Sequence, residues 1–598
     1  MKIHTALLAA VAAAPCFAQD SSSTEFDPVL VSATLGETQL SRTLAPVVVI
    51  TRADIERAQA FDLAELLRFH AGLDVARNGG AGQVTSVFIR GAESNHTLVL
   101  IDGVRINPGT IGGAAFQNLS PAMIERVEIV KGPRSSQWGS DAIGGVINII
   151  TRRPAGPLTG EVRASGGSDE TWEGALGLAH RGERVEAGLH LDQFATRGFP
   201  AQTAGTEDTG HDRLSANVSA AAALGDGRIA ARHWQAQGKT DYLDFFGARV
   251  DQDFRNSSTL LETTLPAGRG FALRAALTHA TDEVRQNQSA DYALTRRAGA
   301  ELRGDWAGET ASVTLGAQGW REEADSVVFG SGFDVQTDVA AVFAQGTTDL
   351  DRHHAVVAAR YTEHEAFGGH LTGDVEYGFD AWRGARLIGS AATAFRAPDA
   401  TDRFGFGGDP ELEPEESRSF ELGLRQQLAG AHALSLAAFD TRIEQLIEFV
   451  CLDAFCFTGE NRNVAQVRIR GVEAGWRWRP GLWTATVEGI VQDPVDETTG
   501  ERLARRAGKS LTASLSRRVG RLDLGADLLA QGPREDSAFS TTVNAGYAVT
   551  NLTLGWQAWR GLTLQLRGEN VLDQDYATAA GFRSPGRAGY LTLRYVLR

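Results

Sequence analysis

From about Gly160 to Arg598 the chain repeats one pattern: short runs of alternating apolar and polar residues, broken by tight turns or longer polar stretches. Val185, Ala187, Leu189 and Leu191 alternate with Glu186, Gly188 and His190. Phe420, Leu422 and Leu424 alternate with Glu421, and Arg425 follows. Leu562, Leu564 and Leu566 alternate with Thr563, Gln565 and Arg567, and Leu591, Leu593, Tyr595 and Leu597 with Thr592, Arg594 and Val596. A period of two puts one set on each face of a strand. A soluble sandwich would hide the apolar face against a second sheet. A membrane barrel turns it to lipid and keeps the polar face inside. Roughly 440 residues in strands of about 10 leave room for about 22 strands and their loops. Closure is required, because an open edge in hydrocarbon leaves unpaired amides at several kcal/mol each.

Other global features agree. At 598 residues the chain exceeds one ordinary domain. Its net charge of −16 argues against nucleic-acid binding, which rests on neutralising phosphates. Beyond the first twenty residues no apolar run reaches the ~18 needed for a spanning helix. The mean hydropathy of −0.18 looks soluble, as alternating strands should. Lys2, the apolar run Ala6 to Ala14, and Cys16-Phe17-Ala18 before Gln19 read as a secretory signal peptide over residues 1–18. If Cys16 leaves with it, Cys451 and Cys456 remain. Four intervening residues allow a small local disulfide in an oxidising compartment, and a metal site would need further Cys or His nearby.

Ahead of the alternating region lies a different kind of sequence. Residues 19–40 begin polar and Ser-rich, then include Asp27-Pro28-Val29-Leu30-Val31-Ser32-Ala33-Thr34. This β-prone run could add as a strand to a partner's sheet, or serve as a plain edge strand. Residues 41–155 mix strand and helix signals, an α/β domain. Val47 to Ile50 is a strand, Thr51 with Asp54 forms a capping-box pattern, and Asp62 caps a helix holding Leu63, Leu66 and Leu67. Asn78 to Gln83 is a Gly-rich loop, and Ser86 to Ile89 and Thr97 to Ile101 are strands. Asp102-Gly103 makes a tight turn. Arg126 to Val130 alternates like a half-buried strand, with Val127 and Ile129 on the core side. Val146 to Ile150 is apolar on both sides apart from Asn148 and should be buried on both.

The wording VEIVKGPRSSQWGSDAIGGVINIIT, ending at Thr151, resembles the closing segment of the plug domain of TonB-dependent outer-membrane receptors. VFIRG and LVLIDGVRIN resemble the same family, as do FRAPDATDRFGFGGDPELEPEESRSFELG from Phe395 and ENVLDQDYATAAGFRSPGR from Glu569. The terminal Leu597-Arg598 departs from the final aromatic common in such barrels. The resemblance implies an all-β transmembrane barrel of about 22 antiparallel strands over residues 156–598, with the α/β plug inside its lumen. It implies a TonB box at Asp27, Pro28, Val29, Leu30, Val31, Ser32 and Ala33, gripped by the periplasmic energy-coupling protein TonB. The protein is expected in the outer membrane of a Gram-negative cell, as a monomer.

Within the family the plug loops are most similar to the cobalamin (vitamin B12) receptors, with an iron-siderophore or haem receptor as the alternative. That similarity implies cobalamin contacts at Val84, Ser86, Ile111, Gly112, Arg505 and Phe539. Glu93 stands where a neutral amide is expected. Two acidic loops carry Glu207, Asp208 and Asp212, then Asp241, Asp244, Asp251 and Asp253. Calcium takes six to eight oxygens on flexible loops, and matching loops of the cobalamin receptors bind it. A solvated acidic surface is the other reading. No HExxH, GxSxG or Walker pattern occurs, and the thirteen His are scattered. The expectation is a transporter, not an enzyme.

Overall fold

The computed structural model describes residues 29–30, 32, 34–36, 38–244, 247–328, 330–453, 458–536 and 542–597. Twenty-two antiparallel strands form a closed barrel, from Thr159–Gly167 to Ala588–Leu597. The last strand pairs with the first, placing Tyr595 opposite Val162. Phe420, Leu422, Leu566 and Leu593 face outward and exposed, while Arg567 and Thr592 point inward and are buried. One rim has turns of two to four residues, such as 225–226, 383–384 and 560–561. The other carries the long connections 197–210, 397–414, 497–508, 532–546 and 570–587. Outer-membrane barrels keep short turns in the periplasm and long loops outside, which orients the molecule.

The lumen holds the plug. A two-residue strand β1 (Val29–Leu30) pairs with β2 (Thr38–Gln39). Then come β3 (Val47–Thr51), helices α1 (Arg52–Ala58) and α2 (Leu63–Leu67), and β4 (Leu73–Arg77) paired with β5 (Thr85–Ile89). Strands β6 (Thr97–Ile101), β7 (Val104–Arg105), β8 (Ile124–Lys131) and β9 (Gly145–Thr151) follow, with helix α3 (Ser135–Trp138) between the last two. They join β3 in one sheet of order β3-β8-β9-β6-β7, in which β6 and β9 run parallel.

Local chemistry accounts for these elements. Thr51 and Asp54 form the reciprocal capping box that starts α1, and the Asp62 carboxylate accepts from the Glu65 N–H to start α2. Asp102 and Gly103 both take positive φ, which a tight primed turn between β6 and β7 requires. Leu63, Leu67, Val99, Phe116, Val127, Ile129 and Ile147 make the plug core. Wall residues Trp234, Ala236 and Phe254 complete it, so the plug and barrel share a core. One expectation fails here: β8 is buried on both faces, not one. Its second face is covered by the chain near Ser32, and Glu128 on that face is fully buried.

Candidate functional site

Two plug loops reach the long-loop rim. In the β4–β5 loop, Gln83 Nε2 donates to the Asp241 carbonyl at 2.8 Å. Gly82 adopts φ of +73° against His211, where any Cβ would collide with the imidazole and Thr240. The loop after β7 is held by Ala400 and Thr401, whose N–H groups donate to the Gly109 and Thr110 carbonyls at 2.9 and 3.0 Å. Asn107 Nδ2 donates to the Gly112 carbonyl at 2.8 Å. These ties leave Val84 60% and Ile111 56% exposed on the plug apex. Large apolar side chains held out on a mouth are the informative exception to burial.

The remaining expected contacts are placed less openly. Gly112 is buried against Asp399, and Ser86 sits half-buried in β5 opposite Ala76. Arg505 donates from Nε to the Asp536 carbonyl at 3.2 Å, and its N–H donates to the Glu535 carbonyl at 2.6 Å. It therefore ties loop 497–508 to loop 532–546. Phe539 lies outside the described residues. Glu93, the departure in sequence, pairs with Arg506 of loop 497–508. Burial raises its carboxyl pKa, but Arg506 and then His96 outweigh burial and hold it below the usual range.

The acidic residues do not assemble as the calcium expectation requires. Asp212, Asp241, Asp251 and Asp253 share strand parity with Leu214 and Leu261, which face outward. They therefore lie on the outer surface of the rim, not over the lumen. Lys239 stands opposite Asp212 and Asp253 in the ladder and lies 3.4 Å from Asp251. Arg249 pairs with Asp241 at 2.7 Å, and Arg197 with Asp208 at 2.9 Å. Asp244 accepts from the Ala248 N–H at 2.8 Å, and Glu207 is exposed. Among the described residues no group of three His, Cys, Asp or Glu is arranged to hold a metal ion. As placed, Asp208, Asp241 and Asp251 do not fit a preformed calcium site, because Arg197, Arg249 and Lys239 already pair with them. Cys451 is disulfide-bonded, and Cys456 lies outside the described residues.

At the short-turn rim the N-terminal segment is folded back onto the plug. Ser32 is buried: its hydroxyl donates to Glu128 at 2.6 Å and accepts from Asn148 Nδ2 at 2.9 Å. Trp138 Nε1 donates to the Ser32 carbonyl at 3.2 Å. Further along, the Leu35 N–H donates to Gln345 of the wall at 3.2 Å, and Arg425 donates to the carbonyls of Thr43, Leu44 and Ala45. Asp27, Pro28, Val31 and Ala33 lie outside the described residues.

Residues that sequence reasoning passed over fasten the plug to one sector of wall. Arg90 spans Glu421 at 2.5 Å and Glu473 at 2.9 Å, and Lys131 reaches Glu473 at 3.1 Å. Arg134 holds Asp374 at 2.7 Å and Glu376 at 2.6 Å. Glu415 joins His96 at 2.8 Å and Arg396 at 3.1 Å. The signal was present: Asp374, Glu376, Glu421 and Glu473 occupy lumen-side positions within strands, where a charge needs a partner. The partner could not be read.

A further buried carboxylate, Asp74 of β4, accepts from Gln492 Nε2, the Ala507 N–H and Gln531 Nε2 at 2.9–3.2 Å. Burial pushes its pKa up to about 6 from 3.8, with Arg534 opposing. The raised value favours the protonated form in the folded plug. Its contribution, roughly 3 kcal/mol, is full below about pH 4 and is lost as pH rises through about 6. The wild-type plug should therefore gain stability relative to Asp74→Asn between pH 7 and pH 4, followed by hydrogen exchange in β4. Parallel pH profiles for the two proteins would refute this.

A barrel of this size, filled by a folded domain whose tail lies at the periplasmic rim, defines a gated outer-membrane receptor. The family model for the TonB dependent receptor-like beta-barrel matches residues 166–571, and that for the TonB-dependent receptor plug domain matches residues 39–146. The chain belongs to the TonB-dependent receptors, outer-membrane transport proteins that act with TonB and a ligand. It is 28% identical to the vitamin B12 transporter BtuB of Photobacterium profundum, covering 98% of this chain and 99% of that one. Among solved structures it is similar to a mutant of the ferric enterobactin receptor PfeA of Pseudomonas aeruginosa, with a TM-score of 0.81 at 16% identity over 95% of this chain and 100% of that one. It is also similar to the siderophore receptor PiuA of Acinetobacter baumannii, with a TM-score of 0.79 at 15% identity over 94% of this chain and 98% of that one. At such identities the structures establish the fold alone.

Proposed function

We propose that this receptor carries cobalamin or a related corrinoid across the outer membrane, driven by TonB. The supporting observation is the near full-length similarity to a vitamin B12 transporter. The exposed Val84 and Ile111 offer an apolar apex on which a bulky ligand rests. Residues 1–18 direct export, and Asp27 to Ala33 act as the TonB box. In this reading ligand binding shifts the population in which the tail leaves Glu128 and Asn148, and TonB grips the freed strand.

Equilibrium binding of labelled cyanocobalamin tests the substrate. Saturable binding is expected, and Val84→Asp with Ile111→Asp should weaken it at least about tenfold, since a charge would be desolvated against the ligand. The second reading is an iron-siderophore or haem receptor of the same architecture. No saturable cobalamin binding, with or without calcium, would overturn the corrinoid reading and leave the second. A rise in affinity with calcium would mean that Lys239 and Arg249 yield their carboxylates to the ion.

A further inference from the structure

On the outer face of the barrel, strands Glu415–Leu428, His432–Cys451 and Gly459–Trp478 are neighbours, and their outward residues run in level rows. Gln426, Leu434 and Trp476 stand abreast, then Leu424, Leu436 and Ala474, then Leu422, Ala438 and Val472. Above these come Phe420, Asp440 and Arg470, and above them Arg418, Arg442 and Arg468. The lower rows face lipid: Phe420 is 65% and Leu422 73% exposed.

The height of the arginine row follows from strand geometry. Arg418 lies ten residues along its strand from Leu428, where the ladder ends opposite His432 at the short-turn rim. At about 3.4 Å per residue and a tilt of about 35–45°, that is roughly 24–28 Å along the membrane normal. The apolar band of an outer-membrane barrel is about 25 Å tall. The three arginines therefore sit at its outer edge, level with the lipid headgroups.

Like charges set directly opposite one another in a ladder are destabilising, and little nearby offsets these. Asp440 is shared by Arg468 at 2.5 Å and Arg470 at 3.3 Å, and Glu497 reaches Arg468 at 3.7 Å. Arg418 and Arg442 are exposed and, among the described residues, have no carboxylate within ion-pair distance. One row further out Glu416 stands opposite Glu444, and Glu416 turns to His370 at 3.8 Å. In another sector the outer-face cations are matched singly. Arg321 faces Asp338 across the ladder and bonds it twice at 2.7 Å, and Arg249 pairs with Asp241 at 2.7 Å. A surplus of cations confined to one sector, at headgroup level, selects for an anionic headgroup.

We propose that Arg418, Arg442, Arg468 and Arg470 form a site for a phosphorylated glycolipid of the outer leaflet. Phosphate takes paired hydrogen bonds from guanidinium groups, and the row sets several such forks side by side. The acyl chains lie over Phe420, Leu422, Leu436 and Val472 directly below, and Glu416 and Glu444 above accept from sugar hydroxyls. Binding neutralises the row and removes repulsion across strands whose inner faces carry Glu421 and Glu473, the carboxylates that clamp Arg90. The inference rests on the outer-membrane placement of the barrel and not on the transported ligand.

The test uses the full-length receptor in a neutral detergent and three probes: a bisphosphorylated glycolipid, the same lipid with its phosphates removed, and inorganic phosphate. Native mass spectrometry should show the phosphorylated lipid retained at least about tenfold more strongly than either of the others. It should also raise the unfolding temperature, as a ligand specific to the folded state does. With Arg418→Gln and Arg442→Gln combined, retention should fall at least about tenfold and the rise in unfolding temperature should disappear. Arg321→Gln should behave as the unaltered receptor. Should the double variant fail to fold, Arg418→Gln and Arg442→Gln singly give the same comparison. Equal retention of the lipid with and without phosphate would overturn the site, as would inorganic phosphate bound as tightly as the lipid. Undiminished retention in the arginine variants, or an equal loss in Arg321→Gln, would overturn it too.

Discussion

Deleting Asp27 to Thr34 should reduce uptake to the level of a cell lacking TonB while ligand binding is retained, its affinity unchanged or raised, because a ligand that favours the released tail gains when the tail is gone. The two quantities separate because they reside at opposite rims. Val84 and Ile111 are held at the mouth by Gln83, Asn107 and the loop at Ala400, none of which bonds to the tail among the described residues. Among the described residues Ser32 bonds to Glu128, Asn148 and Trp138 of the plug. Capture of a scarce nutrient demands tight binding, and nanomolar affinity is about −12 kcal/mol. Such complexes release slowly, since affinity differences lie mostly in the off-rate. Work must then come through the tail. Uptake that persists in the deletion would refute energy coupling through this segment. Loss of binding would instead mean that the tail supports the apex.

The second large effect concerns the clamps. Arg134→Met should destabilise the plug by about 3–5 kcal/mol, the range for removing one member of a buried ion pair. One guanidinium here serves two carboxylates, Asp374 and Glu376, both buried. Without it two like charges face each other beyond the reach of water. Hydrogen exchange in β8 and β9 should accelerate, while exchange in the barrel strands stays slow because their ladder is untouched. Replacing all three by apolar residues of similar volume should restore most of the loss, since a well-packed apolar contact often equals a buried pair. If Arg134→Met alone leaves exchange in β8 unchanged, the ion pairs do not hold the plug.

What was legible in the sequence was local. A period of two survives in strands such as Val185–Thr196 and Ala588–Leu597, because each residue answers only to lipid on one side and the lumen on the other. The capping boxes and the Asp102-Gly103 turn are likewise settled within four residues. Closure of the sheet also followed, from the cost of an open edge in hydrocarbon.

The tertiary structure decided everything that depends on which inward-facing side chains meet. Arg90 and Glu473 are 383 residues apart, and nothing local in either names the other. The acidic residues near 212 and 251 read as loops able to converge on a calcium ion, yet strand parity turned them to the outer face and set Lys239 among them. Glu128, read as lying on the outer side of a half-buried strand, became the acceptor that holds Ser32, because the chain folds back across that face. The sequence determined a cylinder and a stopper, since those follow from short-range pattern and solvent. How the stopper is fastened depends on long-range pairing in a closed lumen, where each buried charge must find a partner that only closure brings near.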